Sequence, residues 1–172
     1  MLAKQTPQYR LLTLPVADAS SAIQPGDPNY PGHAVATFDR AVELIYSQPD
    51  MHLRGKDMDV RLMYPTCESE MLVSVPHYDF NWQTIYFEAK PEQVQLQSFR
   101  EPSVPNGTRI DLFAHWDNSV NNRVNPDPKA TVRWGDQSWD EMIFAWVGVV
   151  VPRDTDPEKV MAKPVVTSRA AR

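Results

Sequence analysis

The 172-residue chain carries few side chains suited to metal binding or nucleophilic chemistry: four histidines (His33, His52, His77 and His115) and one cysteine, Cys67. Cys67 lies in Thr66-Cys67-Glu68-Ser69, a polar turn with no neighbour that would depress a thiol pKa, so it does not read as a nucleophile. Asp50 and His52 are two residues apart. On a strand such residues point to one face, so carboxylate and imidazole could share one ion. The plainer role for Asp50 is to cap a turn after Pro49 or to pair with Arg54 or Lys56. The segment from Asp117 to Lys129 holds four asparagines and two prolines. It reads as a scaffold of Asx turns; its oxygens would suit a hard cation, but the spacing is not that of an EF-hand. His33 and His77 have no visible partner and read as surface or packing residues. There is no phosphate-cradling glycine loop, no nucleophile elbow and no zinc-type Cys/His cluster.

Short strands must position these groups. Sixteen prolines against six glycines disfavour long helices, because proline lacks the N–H and clashes with the preceding turn. The sequence predicts strands over Tyr9 to Leu14, His33 to Phe38, Val42 to Tyr46, Met58 to Tyr64, Met71 to Val75, Tyr78 to Phe87, Thr108 to Trp116 and Met142 to Val151. Loops are expected over 15–32, 88–107 and 117–129, with a tail over 152–172 that includes a helical turn near Asp156 to Val160. Alternation puts Ile110, Leu112, Ala114 and Trp116 on one face, with Arg109, Asp111, Phe113 and His115 on the other. The expected fold is all-β: a single antiparallel, jelly-roll-like β-sandwich over 9–151, after an N-terminal extension over 1–8.

Composition narrows the class of partner. Hydrophobic residues make up 42% and charged residues 23%, as in a globular domain. The net charge of -5, without a Lys/Arg cluster, argues against non-specific nucleic-acid binding. No run of 18 apolar residues is present, so no membrane span is expected. The first residues lack the apolar run of a signal peptide, which leaves a cytoplasmic protein or a mature or excised domain.

Three stretches in order resemble one family: Gln48-Pro49-Asp50-Met51-His52-Leu53-Arg54-Gly55-Lys56-Asp57-Met58, then Val75-Pro76-His77-Tyr78-Asp79-Phe80-Asn81-Trp82-Gln83, then Ala114-His115-Trp116-Asp117-Asn118-Ser119 through Arg133-Trp134-Gly135-Asp136-Gln137-Ser138-Trp139-Asp140-Glu141-Met142. With Ile23-Gln24-Pro25-Gly26-Asp27-Pro28-Asn29-Tyr30 they cover residues 9–151. The set is similar to the C-terminal domain of copper type II, ascorbate-dependent monooxygenases, such as peptidylglycine α-hydroxylating and dopamine β-monooxygenases, and most of all to their bacterial multidomain relatives. The resemblance implies a domain that activates oxygen at one copper, working with an N-terminal domain that holds a second. It also implies a periplasmic or secreted location.

The family's ligands are a His-x-His pair and a later methionine. The methionine maps to Met142, the second histidine to His52 and the first to Asp50, which is a departure. A thioether suits Cu(I) and imidazole suits both copper states, whereas a carboxylate favours harder divalent ions. Copper-dependent oxygen chemistry therefore loses a ligand at position 50. On the last predicted strand Ile143, Ala145, Val147, Val149 and Val151 form an aliphatic face, so Met142 points outward with Phe144 and Trp146. By parity His115 also points away from its strand's apolar face, which makes it a candidate substitute ligand. Two functions are expected to compete: a monooxygenase-like domain that binds metal or is degenerate, incomplete as an enzyme alone, and a non-catalytic binding or assembly sandwich using Trp82, Trp116, Trp134, Trp139 and Trp146. A hydroxylase completed by a partner domain is a third expectation.

Overall fold

The computed structural model describes residues 6–88 and 103–162. In chain order the strands are β1 (Tyr9–Asp18), β2 (Ala22–Ile23), β3 (Tyr30–Phe38), β4 (Glu43–Asp50), β5 (Gly55–Met63), β6 (Ser69–Val75), β7 (Tyr86–Phe87), β8 (Arg109–Trp116), β9 (Val132–Arg133), β10 (Ile143–Pro152) and β11 (Met161–Ala162). They form a four-stranded sheet ordered β1-β10-β4-β7, a five-stranded sheet ordered β11-β3-β8-β5-β6, and a small β2-β9 pair, with every strand pairing antiparallel. The protein is all-β, as the proline content and period-two patterning predict.

The core lies between the two larger sheets. From the four-stranded sheet, Val16, Leu44, Ile143, Ala145, Val147, Val149 and Val151 enter it; from the other come Ala34, Ala36, Phe38, Met58, Val60, Leu62, Ile110, Leu112, Ala114 and Trp116. The predicted faces of β8 and β10 are the buried ones, because one residue of shift would expose every apolar side chain at once.

Three prolines occur inside strands of the four-stranded sheet, and their register explains why they are tolerated. The Arg153 N–H donates to the Gln8 carbonyl. Counting from that pair, the even-numbered positions of β1 exchange ladder bonds with β10, and the odd-numbered ones do not. Pro15 opposite Trp146 and Pro152 opposite Tyr9 therefore need no N–H. Pro49 faces Ala145, whose ladder bonds run the other way, to Val16.

Several boundaries differ from the sequence expectation. β1 continues through Pro15 to Asp18, inside the predicted loop over 15–32, because the proline occupies a position without a ladder bond. The predicted strand over Tyr78 to Phe87 shrinks to β7. Its first half is a turn in which the Trp82 N–H donates to the Asp79 carbonyl and the Asn81 N–H to Asp79 Oδ1. Of the predicted loop over 88–107, residues 89–102 lie outside the described residues. Val104 forms a bridge with Val42. The segment after 151 is more than a tail. Asp156 caps a 3-10 turn over Pro157–Lys159, Val160 is fully buried, and β11 pairs with β3. Residues 1–5 and 163–172 also lie outside the described residues.

Candidate functional site

Glu141, from the segment just before β10, sits at the end of the core with its side chain 2% exposed. Its Oε2 accepts the His52 N–H at 3.0 Å and the Trp116 Nε1–H at 2.9 Å, while its Oε1 accepts the Arg54 N–H at 2.5 Å. The Met142 N–H also reaches Oε2, at 3.4 Å. Burial pushes the carboxyl above the usual range, against the pull of the His52 and Arg54 main-chain donors, the charge of His52 and the indole N–H. The carboxylate thus joins the turn after β4, the end of β8 and the start of β10.

Arg54 is fully buried beside it. Its Nε donates to Asn118 Oδ1 at 2.9 Å and its Nη1 to the Trp139 carbonyl at 2.8 Å. Burial lowers the Arg54 pKa, opposed by Glu141, Asp127 and Asp140. Asn118, also buried, donates to the Gln24 and Ala130 carbonyls, both at 2.9 Å, and accepts from Asn125 Nδ2. In this loop Asp117 Oδ1 accepts the Ser119 N–H and Asp127 Oδ1 the Lys129 N–H. The loop over 117–129 is the Asx-turn scaffold expected from its composition.

The residues predicted to hold metal are only partly brought together. Asp50 ends β4 opposite Phe144, on the outer face of the four-stranded sheet. Burial lifts its carboxyl above the ordinary range, opposed by the charge of His52 and a hydrogen bond from Gln83. The His52 ring lies nearby and is nearly buried. Its Nδ1 faces the Asp140 carbonyl at 3.3 Å, and its plane meets Phe80 edge-on with centroids 5.9 Å apart. A carbonyl only accepts, so Nδ1 is the donor in this contact. Met142 is half-buried and shares Glu141 Oε2 with His52 through main-chain N–H groups. Met142 also borders a crevice lined by Asp18, Trp116, Arg133 and Trp134.

His115 is not a neighbour of Asp50. Ala114 and Trp116 point into the core, so His115 points out of the five-stranded sheet, on the far side of the sandwich from Asp50. There its Nδ1 meets Asp57 Oδ1 at 2.7 Å, on the paired position of β5. The parity of β8 holds, but parity does not say which of two outer faces a strand contributes to. His33 also has a partner that sequence could not reveal. Its Nε2 lies 2.6 Å from the buried Asp111 Oδ1, and its ring stacks on Phe113 with centroids 4.7 Å apart. Arg109 Nε donates to the other Asp111 oxygen at 2.7 Å. Pairing of β3 with β8 creates this cluster from residues 78 apart in sequence.

The donors at the position the resemblance marks are one imidazole, one carboxylate and one thioether. Among the described residues no group of three or more His, Cys, Asp or Glu side chains converges. This set does not fit a copper that must hold both redox states through two imidazoles and a thioether. What sequence reasoning missed is Glu141. The Asp140-Glu141-Met142 stretch drew attention to its methionine, yet its glutamate organises the site. The one available signal was an acidic pair, Asp140-Glu141, directly before an aliphatic strand.

Elsewhere on the outer face of the four-stranded sheet, Trp134, Phe144 and Trp146 form a continuous aromatic group, with centroids 6.4 Å and 4.7 Å apart along the row. Trp146 remains 39% exposed. Among the described residues no helix is long and apolar enough to cross a membrane. No protein-family model matches the chain, and no curated protein matches it.

Proposed function

We propose that this chain is a copper monooxygenase-like C-terminal sandwich whose metal position is degenerate, and that it works as a binding or assembly module rather than as a complete enzyme. One observation carries the reading. The Asp50–His52 pair offers a single imidazole, hydrogen-bonded to a main-chain carbonyl, beside a carboxylate held by Gln83, and His115 is committed to Asp57 on the other outer face. A buried Glu141–Arg54 joint instead locks the turns together, which suits a rigid scaffold. The Trp134–Phe144–Trp146 group supplies an apolar surface of the kind that docks a partner protein, such as the N-terminal domain implied by the resemblance.

Anaerobic Cu(I) titration against a chromophoric chelator tests this. Wild type is expected to leave copper with the chelator. Asp50→His restores the second imidazole and is expected to gain Cu(I) affinity, which Met142→Ala then removes. Stoichiometric Cu(I) uptake by wild type, with ascorbate-dependent oxygen consumption, would overturn the degenerate reading in favour of a hydroxylase completed by a partner domain. Failure of Asp50→His to gain affinity would sink the family likeness and leave only the binding module.

A further inference from the structure

The sheet edges differ in how they are protected. β7 and β11 are two residues long, too short to template another strand. β6 is longer, but its pairing with β5 slips between Val60 and Arg61, leaving Leu72 as a bulge that twists the edge. β1 is different. Its ten residues pair with β10 in unbroken register, and among the described residues no strand lies on its other side.

The ladder parity set by Gln8 and Pro15 says which groups that edge presents. The N–H and C=O groups of Leu11, Thr13 and Ala17 point away from β10, in the plane of the sheet. Their side chains lie on the outer face; Leu11 is 52% exposed. The strand is also dipolar, with Arg10 near its start and Asp18 at its end, and only uncharged residues between. Arg10 Nη2 donates to the Thr155 carbonyl, while its buried Nε has no partner among the described residues.

We propose that β1 is an association edge at which a second copy of this chain adds its own β1, antiparallel, joining the two four-stranded sheets across a twofold axis. The charge pattern selects both direction and register. Antiparallel pairing about Leu14 places Arg10 opposite Asp18 of the second copy, and the same pair recurs at the other end, whereas parallel in-register pairing would set like charges side by side. The N–H groups of Leu11, Thr13 and Ala17 then meet the carbonyls of Ala17, Pro15 and Leu11 of the second copy. Leu11 packs against the second copy's Ala17. Pro15 withholds one N–H per strand, so Thr13 leaves its carbonyl to water; this limits the strength of the pairing and keeps it reversible. The inference stands independently of the copper likeness, because it uses only the edge.

The same parity supplies the test. Leu11→Pro removes an N–H that makes no bond among the described residues, at a position of the same parity as Pro15, so the β1-β10 ladder is kept while the edge loses a donor. The mass of the full chain is measured by light scattering over a concentration series, with circular dichroism as a check on folding. A concentration-dependent dimer is expected in wild type. In Leu11→Pro the dimer dissociation constant should rise roughly tenfold or more, since each copy loses one inter-chain hydrogen bond. Asp18→Arg, which gives up the exposed contacts of Asp18 with Ser20 and sets arginine against arginine, should weaken the dimer as well. A monomer at every concentration, or a dimer indifferent to both substitutions, overturns the proposal.

Discussion

Replacing Glu141 by glutamine changes one atom and asks whether the buried carboxylate is the hub that its contacts describe. Its Oε2 takes two close donors, from His52 and Trp116, and a longer one from Met142, and its Oε1 takes the Arg54 N–H. In Glu141→Gln the amide oxygen keeps the Oε2 position, and the NH₂ group faces the Arg54 N–H, so two donors oppose each other. An orphaned buried donor costs about 1–3 kcal/mol. The two close bonds at Oε2 fall from charge-assisted to neutral strength, about 1 kcal/mol each. Relief of a buried charge returns part of this, about 1–2 kcal/mol. The net expectation is a loss of about 2–3 kcal/mol, or a drop of roughly 5–10 °C in Tm, measured at pH 8 because alkaline conditions favour the carboxylate against its raised pKa. Chemical denaturation and calorimetry on wild type and variant measure it. A loss under about 1 kcal/mol at that pH would refute the reasoning, because glutamine is tolerated only if the carboxyl is already protonated or the close donors are satisfied elsewhere.

Two further outcomes follow from the same geometry. A Cβ at Gly148 would meet the Tyr46 ring at 2.0 Å and one at Gly32 the Trp116 ring at 2.3 Å. Tyr46 can swing outward, giving up its 2.7 Å bond to Thr13 Oγ1, whereas Trp116 is fully buried. Gly148→Ala is therefore expected to cost about 1–2 kcal/mol and Gly32→Ala about 3 kcal/mol or more by urea denaturation, and a reversed order would contradict the packing described. The third outcome concerns pH. Burial raises the Asp50 pKa in the folded state, so the folded chain holds that proton more tightly than the unfolded one. Stability from this group is present at low pH and is lost as pH rises from the ordinary carboxylate range through the raised value. The Tm of Asp50→Asn relative to wild type should accordingly climb as pH rises above the ordinary carboxylate range; a flat or falling difference would show that the His52 charge outweighs burial.

The sequence by itself determined the fold class and which way most side chains face. Period-two alternation in Ile110 to Trp116 and Ile143 to Val151 marks the buried faces, because a strand can hide one face only by repeating apolar residues every second position. Proline density excluded long helices, and the Asx chemistry of 117–129 identified a turn scaffold. Tertiary structure alone decided which outer face each strand joined, and with it the site. It set His115 beside Asp57 rather than Asp50, gave His33 its Asp111, and brought Glu141 to the main-chain N–H groups of His52 and Arg54. Such partners lie 58 to 89 residues apart. Local periodicity records the direction of a side chain relative to its own strand, but the identity of its neighbour depends on strand order and register, which are set by the packing of the whole core.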